Sequence, residues 1–445
     1  MLHPDDRLTF TEALRPPAGH RLDCAVGATY SLDLETLLAA PAAFALREVD
    51  TGDLDQLDPM ALLASVRLHA DRMMVFHQAG QLSVPRRHRL FALLERSVFA
   101  VTAPLRGIFH PKLWVLRFED RDDGTLRHRV VVASRNITGD RSWDVVLRLD
   151  SVGDTRPSRA GTGLGGLAEL VRALPGMSVG PVEASVTSRI ESLATEIEAS
   201  RFAPPPGVDA VRIHPLGLAE PPAGGPPFPA AVERLLVVSP FLSGPLVSRL
   251  PTSRATPVLV SRAESLDAVA DAVERFDTRV LDASVVDDVS AAVEGGEVEG
   301  GEDAPPEVTL AGLHAKVYAY DTGDRSHVFV GSANATTAAF STNVEVLAEL
   351  IGPTSAIGVD RILGGSGNGS LEQLLVPYRP ERLSDEAGGA PSRLQLLRRA
   401  IGALEIEARV QGAGTAFDVR YSQTCPESKV DLPPGVTAVC RPLTL

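Results

Sequence analysis

His110-Pro111-Lys112 is followed by the apolar run Val130-Val131-Val132-Ala133, which ends in Ser134-Arg135-Asn136. Further along, His314-Ala315-Lys316 is followed by Val328-Phe329-Val330-Gly331, which ends in Ser332-Ala333-Asn334. The same small pattern, His-x-Lys and then a hydrophobic run closed by Ser-x-Asn, is therefore written twice. The chain holds 445 residues, and its only lysines are Lys112, Lys316 and Lys429. Lys and Arg together number 43, so this protein writes positive charge almost always as arginine. Lysine at the two motif positions points to a need for a compact ammonium that a planar guanidinium does not replace. With ten histidines and three lysines in this length, chance supplies roughly 0.07 His-x-Lys pairs. Two, each with the same sequel, are not noise.

Residues two apart on a strand share a face, so a strand carrying His110 and Lys112 projects both together, and likewise His314 and Lys316. Ser134 with Asn136, and Ser332 with Asn334, fall where a strand meets its following loop. Each half of the chain thus offers an imidazole, an ammonium, a hydroxyl and an amide. Face to face, two such sets would surround one phosphoryl group with a nucleophile, an acid for the leaving oxygen, and fixed positive charge for the non-bridging oxygens. A nucleophilic imidazole needs its attacking nitrogen unprotonated, so an acidic partner on the other nitrogen is expected. Glu345 is the candidate in the second half and Asp144 in the first.

These residues resemble the phospholipase D superfamily, whose HxK(x)4D signature is followed by GSxN. The second copy matches closely: His314, Lys316, Asp321, then Gly331-Ser332-Ala333-Asn334, with Asn343 and Glu345 standing like the Asn-x-Glu that often follows. The first copy keeps His110, Lys112, Ser134 and Asn136 but has Arg117 in place of the Asp and Ala133 in place of the Gly. The resemblance covers roughly residues 20 to 352. It implies a metal-independent, two-step reaction through a phosphohistidine, with His110 as nucleophile and His314 as general acid/base. Lys112, Lys316, Asn136 and Asn334 would hold the non-bridging oxygens, Ser134 and Ser332 would support orientation, and Asp144, Asp321 and Glu345 would be supporting acids. No cofactor or metal is called for. The departure at Arg117 leaves open an inactive, binding-only protein.

The expected fold class is α/β: two phospholipase D-like repeats, each a mixed sheet flanked by helices, packed about a pseudo-two-fold axis, with a small C-terminal α+β module. The expected boundaries are 1–160 for the first repeat, 161–207 for a linker and bracing helices, 208–355 for the second repeat, and 380–445 for a module whose end could be truncated. A helix over Ala184–Ala199 follows from the single stripe of Val186, Ile190, Leu193 and Ile197. Helices are also expected from His88 to Arg96, from Leu266 to Phe276 and from Ser392 to Leu404. Alternation in Ile406, Ala408, Val410 and in Phe417, Val419, Tyr421 signals a hairpin. The GTGLGG stretch lacks a preceding hydrophobic strand and reads as a connection.

The formal charge of −14 argues against a polyanionic partner at first sight. The charge is uneven, however: seven acidic residues and no basic one lie between Asp287 and Asp303, and that acidic loop could reach the cleft and compete with polyanions. Arg86, Arg87, Arg89, Arg96 and Arg106 cluster just before the first motif. Arg86, Arg87 and Arg89, with Arg135, are the candidate nucleic-acid contacts. Cys24, Cys425 and Cys440 lack metal-ligand spacing and read as reduced thiols of a cytoplasmic protein. No apolar run approaches a membrane span. The remaining histidines, among them His69, His77, His88, His128, His214 and His327, read as surface or satisfied core groups, and Trp114 and Trp143 as core. The expected function is a phosphodiesterase, foremost a nuclease acting on DNA in a restriction or phage-defence setting, with a helicase or other operon-encoded proteins as partners and no membrane. The alternatives are an inactive nucleic-acid-binding scaffold and a phospholipid-hydrolysing or phospholipid-transferring enzyme.

Overall fold

A computed structural model describes residues 8–45, 59–84, 89–139, 142–153, 164–219, 226–282, 312–364, 370–382, 393–411, 418–423, 430 and 432–437. The first sheet is built, in chain order, from β1 (His20–Thr29), β2 (Met73–Gln78), β3 (Val98–Val101), β4 (Leu113–Asp120), β5 (Leu126–Ala133) and β6 (Val146–Asp150). They lie side by side as β3-β2-β1-β4-β5-β6. β1 runs parallel to β2, and β2 to β3, whereas β1/β4, β4/β5 and β5/β6 are antiparallel. The second sheet comprises β7 (Ala210–Leu216), β8 (Arg234–Val238), β9 (Val258–Val260), β10 (Asp277–Leu281), β11 (Val317–Thr322), β12 (Arg325–Gly331), β13 (Glu345–Pro353) and β14 (Leu375–Pro377). Its order is β7-β13-β12-β11-β8-β9-β10-β14. The stretch β10-β9-β8-β11-β12-β13 repeats the first sheet strand for strand and direction for direction. The expected mixed α/β architecture is therefore what the chain adopts.

Period-two alternation sorts the strand residues between two faces. Val115, Val130 and Val132 of the first sheet meet Val317, Val328 and Val330 of the second in one continuous core, which also takes in Leu170 of α1 (Gly165–Ala173) and Ile190 of α2 (Ala184–Ala199). The intervening residues Trp114, Leu116 and Val131 face outward, beneath Leu37, Phe44 and Phe91. Tyr318 and Phe329 do the same on the second sheet, beneath Leu246 and Leu266. The two sheets thus pack against each other and helices cover their outer sides. Slipping β5 or β12 by one residue would exchange these faces, so the buried valines fix the register that delivers Ser134 and Ser332 to the sheet ends.

Some expectations need correction. His110-Pro111-Lys112 and His314-Ala315-Lys316 do not lie on strands; each runs extended just ahead of one, β4 starting at Leu113 and β11 at Val317. The region from His88 to Arg96 holds only a four-residue helix (Phe91–Leu94) that lacks a side-chain cap, followed by a 3-10 turn. The region from Leu266 to Phe276 breaks into a helix at Ala263–Asp267 and a 3-10 turn at Ala270–Ala272. Leu266, Val273 and Phe276 still reach the core from these turns, so the apolar spacing was met without a continuous helix. The second sheet also extends past residue 355, because Leu375–Pro377 pairs with β10. The helix over Ala184–Ala199 is present as expected, and Ile406–Gln411 pairs with Asp418–Gln423 as a hairpin. Among the described residues no helix is long and apolar enough to cross a membrane. The acidic stretch 287–303, Arg86, Arg87, His88, Cys425, Lys429 and Cys440 lie outside the described residues.

The two places where the first copy departs from the second have local causes. Arg117 donates to Asp23 (2.6 Å) and to Glu196 on α2 (2.7 Å), tying the first sheet to the central helix. Asp321, at the same place in the second sheet, instead accepts from Ser326 Oγ (2.6 Å) and from the backbone N–H of Val359 (3.2 Å). Gly331 is required by close approach, since a Cβ there would sit 2.1 Å from the carbonyl oxygen of Val346. Ala133 occupies the corresponding strand end of the first sheet. Gly331→Ala should therefore cost about 1–3 kcal/mol through forced backbone movement, whereas Ala133→Gly should cost about 1 kcal/mol or less. Urea denaturation of both variants measures this, and equal losses would contradict the steric account.

Candidate active site

What places the two histidines is backbone pairing between the halves. The N–H of His110 donates to the carbonyl of Val344 (2.8 Å), the N–H of Val344 donates to that of Ile108 (2.9 Å), and the N–H of Ile108 donates to Asn343 Oδ1 (3.1 Å). Reciprocally, Gly312-Leu313 pairs in parallel with Ser142-Trp143, and the N–H groups of His314 and Ala315 both donate to the Trp143 carbonyl (3.0 and 2.9 Å). Each His-x-Lys segment is thus held by the loop that carries the other half's acid.

The side chains follow the same exchange. His110 Nδ1 lies 2.8 Å from Glu345 Oε2, and His314 Nδ1 lies 2.9 Å from Asp144 Oδ1. The expectation that each acid serves the histidine of its own half is therefore overturned: Glu345 partners His110, and Asp144 partners His314. The reason is positional, because the segments carrying Asp144 and Glu345 run alongside the opposite half's histidine. With Nδ1–H directed at a carboxylate, Nε2 is left as the reactive nitrogen of each ring. The serines stay with the acid of their own half: Ser134 Oγ donates to Asp144 Oδ1 (2.9 Å), and Ser332 Oγ donates to Glu345 Oε2. Each hydroxyl also accepts a backbone N–H, from Val145 and from Val346 (2.9 Å each). Ser142 Oγ and Asn343 Nδ2 donate to the remaining carboxylate oxygens of Asp144 and Glu345 (2.7 and 3.4 Å).

Both ammonium groups are out of solvent, Lys112 at 1% and Lys316 at 0% exposure. Lys112 Nζ donates to the His110 carbonyl (2.9 Å), and Lys316 Nζ donates to the His314 carbonyl (2.6 Å) and to that of Ser134 (3.4 Å). An ammonium has three donors and is costly to bury without an anion. Burial and the neighbouring Lys316 charge hold Lys112 well below the ordinary lysine range. The Oδ1 atoms of Asn136 and Asn334 are buried with no hydrogen-bond partner among the described residues. Whichever way these amides are turned, each leaves a polar atom for an incoming group, and leaving it unmet costs about 1–3 kcal/mol.

Burial, then Lys112, Lys316 and His314, push His110 well below the ordinary histidine value. His314 is pulled down to about 4 by burial and Lys316, against the raising influence of Asp144. Burial pushes Glu345 up to about 8, opposed by Lys112 and Ser332. Asp144 lies below the usual carboxylate value: burial would raise it, and the His314 and Ser142 hydrogen bonds outweigh that. Lys112 and Lys316 thus add to burial in lowering both imidazoles.

The remaining expected site residues lie elsewhere. Asp321 is buried at the far end of β11, bonded to Ser326 and Val359 and apart from the imidazoles. Arg135, between Ser134 and Asn136, is half-buried and donates to the Thr138 carbonyl (3.0 Å). Arg89 is exposed on the turn before Phe91–Leu94. Gln78, Arg262 and Tyr30 were not anticipated. Gln78 Oε1 accepts the N–H of Phe109 (2.6 Å), and Arg262 Nε and Nη2 both donate to the carbonyl of Leu313 (3.0 and 2.8 Å). Each therefore fixes the residue just before a motif histidine. The Tyr30 ring lies 5.3 Å from the His110 imidazole. None carries a sequence signal, being single residues at the ends of strands remote in the chain. A cavity of about 990 Å³, lined in part by Arg96, Arg189 and Leu404, touches none of the site residues.

Two predictions follow from the geometry. Glu345→Gln should move the imidazole nitrogen resonances of His110, and Asp144→Asn those of His314, in long-range ¹H–¹⁵N spectra; the opposite assignment would refute the crossed pairing. The fold favours neutral His314, at about 4 against an ordinary 6.5, so its contribution to stability is complete above about 6.5 and is lost as pH falls towards 4. Asp144, held below its ordinary value, adds a loss of the same sign at lower pH. The thermal midpoint of the wild type should therefore fall more steeply over this window than that of His314→Asn.

No family model matches the chain, and no curated protein does. Among solved structures it is similar to a mutant of yeast tyrosyl-DNA phosphodiesterase, at 10% identity and a TM-score of 0.47, over 87% of this chain and 98% of that one. It is also similar to phosphatidylserine synthase of Haemophilus influenzae, at 9% identity and a TM-score of 0.41, over 83% and 84% of the two chains. A third likeness is polyphosphate kinase from Porphyromonas gingivalis, at 11% identity and a TM-score of 0.39, over 88% of this chain and 49% of that one.

Proposed function

We propose that the protein is a phosphodiester hydrolase of the phospholipase D type, acting in the cytoplasm as a nuclease with DNA as its foremost substrate. The observation that carries this reading is the meeting of two crossed imidazole–carboxylate pairs with two buried ammonium groups. A monoanionic diester brings negative charge to the two lysines, and its non-bridging oxygens accept from their ammonium groups.

His110 is the nucleophile. Glu345 holds its Nδ1, and Nε2 attacks phosphorus while the P–O bond to the leaving group breaks. His314 Nε2–H gives its proton to that leaving oxygen, and ionised Asp144 steadies the imidazolium from which the proton departs. Arrival of the diester counters the lysine charges and so raises His314 towards protonation. In the second step His314 takes a proton from water, the resulting hydroxide attacks phosphorus, and the P–N bond returns its electron pair to His110. Lys112, Lys316, Asn136 and Asn334 hold the non-bridging oxygens. Ser134 and Ser332 orient the acids. The environments favour this division of roles: the buried, proton-rich Glu345 side keeps His110 neutral for attack, while the anionic Asp144 side suits a ring that gains and loses a proton. Arg86, Arg87, Arg89 and Arg135 are the proposed contacts to the nucleic-acid backbone away from these groups.

Incubation with labelled single- and double-stranded DNA and RNA, and with a phospholipid, in EDTA should give cleavage of nucleic acid. His314→Ala should lower the rate by about 10²–10⁴-fold. His110→Ala should abolish formation of an acid-labile phosphoenzyme. Cleavage that persists unchanged in the double variant would refute the reading; salt-sensitive binding with no turnover would mark a scaffold.

A further inference from the structure

The motif histidines and lysines are buried, whereas Phe241 is 44% exposed. It lies in the loop that follows β8, and this loop is fastened on two sides. Ser239 Oγ donates to the Phe241 carbonyl (2.8 Å) and accepts the N–H of Ala335 (2.8 Å), while Leu242 bridges to Ala335. Ala335 directly follows Asn334, one of the two amides with an unmet oxygen. From the other side, Arg262 sets its guanidinium over the Phe241 ring, 5.1 Å from the centroid, while donating twice to Leu313, the residue before His314. An aromatic ring and a fixed guanidinium are therefore anchored within one residue of Asn334 and of His314.

The first half builds the same loop without this feature. Thr29 Oγ1 donates to the Ser31 carbonyl (2.8 Å) and accepts the N–H of Ile137 (3.1 Å), and Leu32 bridges to Ile137. Ser31 stands where the second half has Phe241. The corresponding aromatic on that side, Tyr30, leans on His110 itself and is only half-exposed. Nothing in the loop's own bonding calls for an exposed phenyl ring at 241, since serine closes the same turn in the other half.

We infer that Phe241 and Arg262 form a stacking platform for an unpaired nucleobase beside the scissile phosphate, on the His314 side of the pocket. This rests on the phosphodiesterase reading and deepens it to a single-stranded, or locally unpaired, substrate. The ring supplies a flat apolar face of which Arg262 covers part, and the guanidinium adds a cationic edge. Aromatic rings of this kind accept any base, because stacking reads the π-face and not the hydrogen-bonding edge.

The test compares the full-length protein with Phe241→Ala and Phe241→Tyr on a short fluorescent single strand and on the same strand made abasic next to the scissile diester, in EDTA. The wild type should prefer the base-bearing strand by roughly tenfold in kcat/KM, chiefly through KM. Phe241→Ala should erase that preference and Phe241→Tyr should keep it. Retention of the full preference by Phe241→Ala overturns the platform while leaving the phosphodiesterase reading intact. Loss in Phe241→Ala of hydrolysis of phosphatidylglycerol vesicles, with the strand preference unchanged, overturns it in favour of a lipid. Should no diester be cleaved in a His110-dependent way, the phosphodiesterase reading fails by itself. Fluorescence anisotropy with the same two strands then decides the platform, equal discrimination by wild type and Phe241→Ala overturning it.

Discussion

Burying two ammonium groups and two imidazoles together is the constraint on which the rest of the pocket depends. Like charges in a space without solvent repel strongly, and the fold meets this by three means. It sets a carboxylate behind each imidazole, it turns each lysine back onto the carbonyl of its own motif histidine, and burial lowers the basicity of His110, His314 and Lys112. Gathering like charges out of solvent in this way costs stability.

The means by which the halves are joined explains why the arrangement is so rigid. Asp144 and Glu345 do not reach across at random; the backbone beside each of them pairs with the backbone before the opposite histidine. Gln78 and Arg262 then clamp that same backbone from the far side. A histidine held by its main chain, its Nδ1 and its preceding residue has little freedom left at Nε2.

Much of this architecture was readable in the chain. The paired His-x-Lys and Ser-x-Asn patterns mark the pocket residues because their chemistry is unusual in a protein so poor in lysine. Val130 to Val132 and Val328 to Val330 mark the strands that deliver the serines, through period-two alternation that any half-buried strand must show. The crossing of the acids was not readable. Residue spacing records distance along the chain, and Asp144 is nearer in sequence to His110 than to His314, yet pairing between separate segments decides its partner. Gln78, Arg262 and Tyr30 were hidden for a related reason: each acts through one contact made at a strand end, and no periodicity reports such a contact. Helices over 88–96 and 266–276 were misjudged because apolar spacing states only which residues must be buried. Short turns bury Leu266 and Phe276 as well as a helix would.

The crossed acids also bear on descent. A chain with one repeat would own a histidine whose acid belongs to someone else, so it could complete this pocket only as a symmetric pair of identical subunits. Fusion into one polypeptide removes that symmetry requirement, and the two halves are then at liberty to drift apart wherever the shared chemistry does not hold them. Arg117 against Asp321, Ala133 against Gly331 and Ser31 against Phe241 are where the halves differ: Arg117 braces its sheet to the central helix, and Phe241 stands exposed.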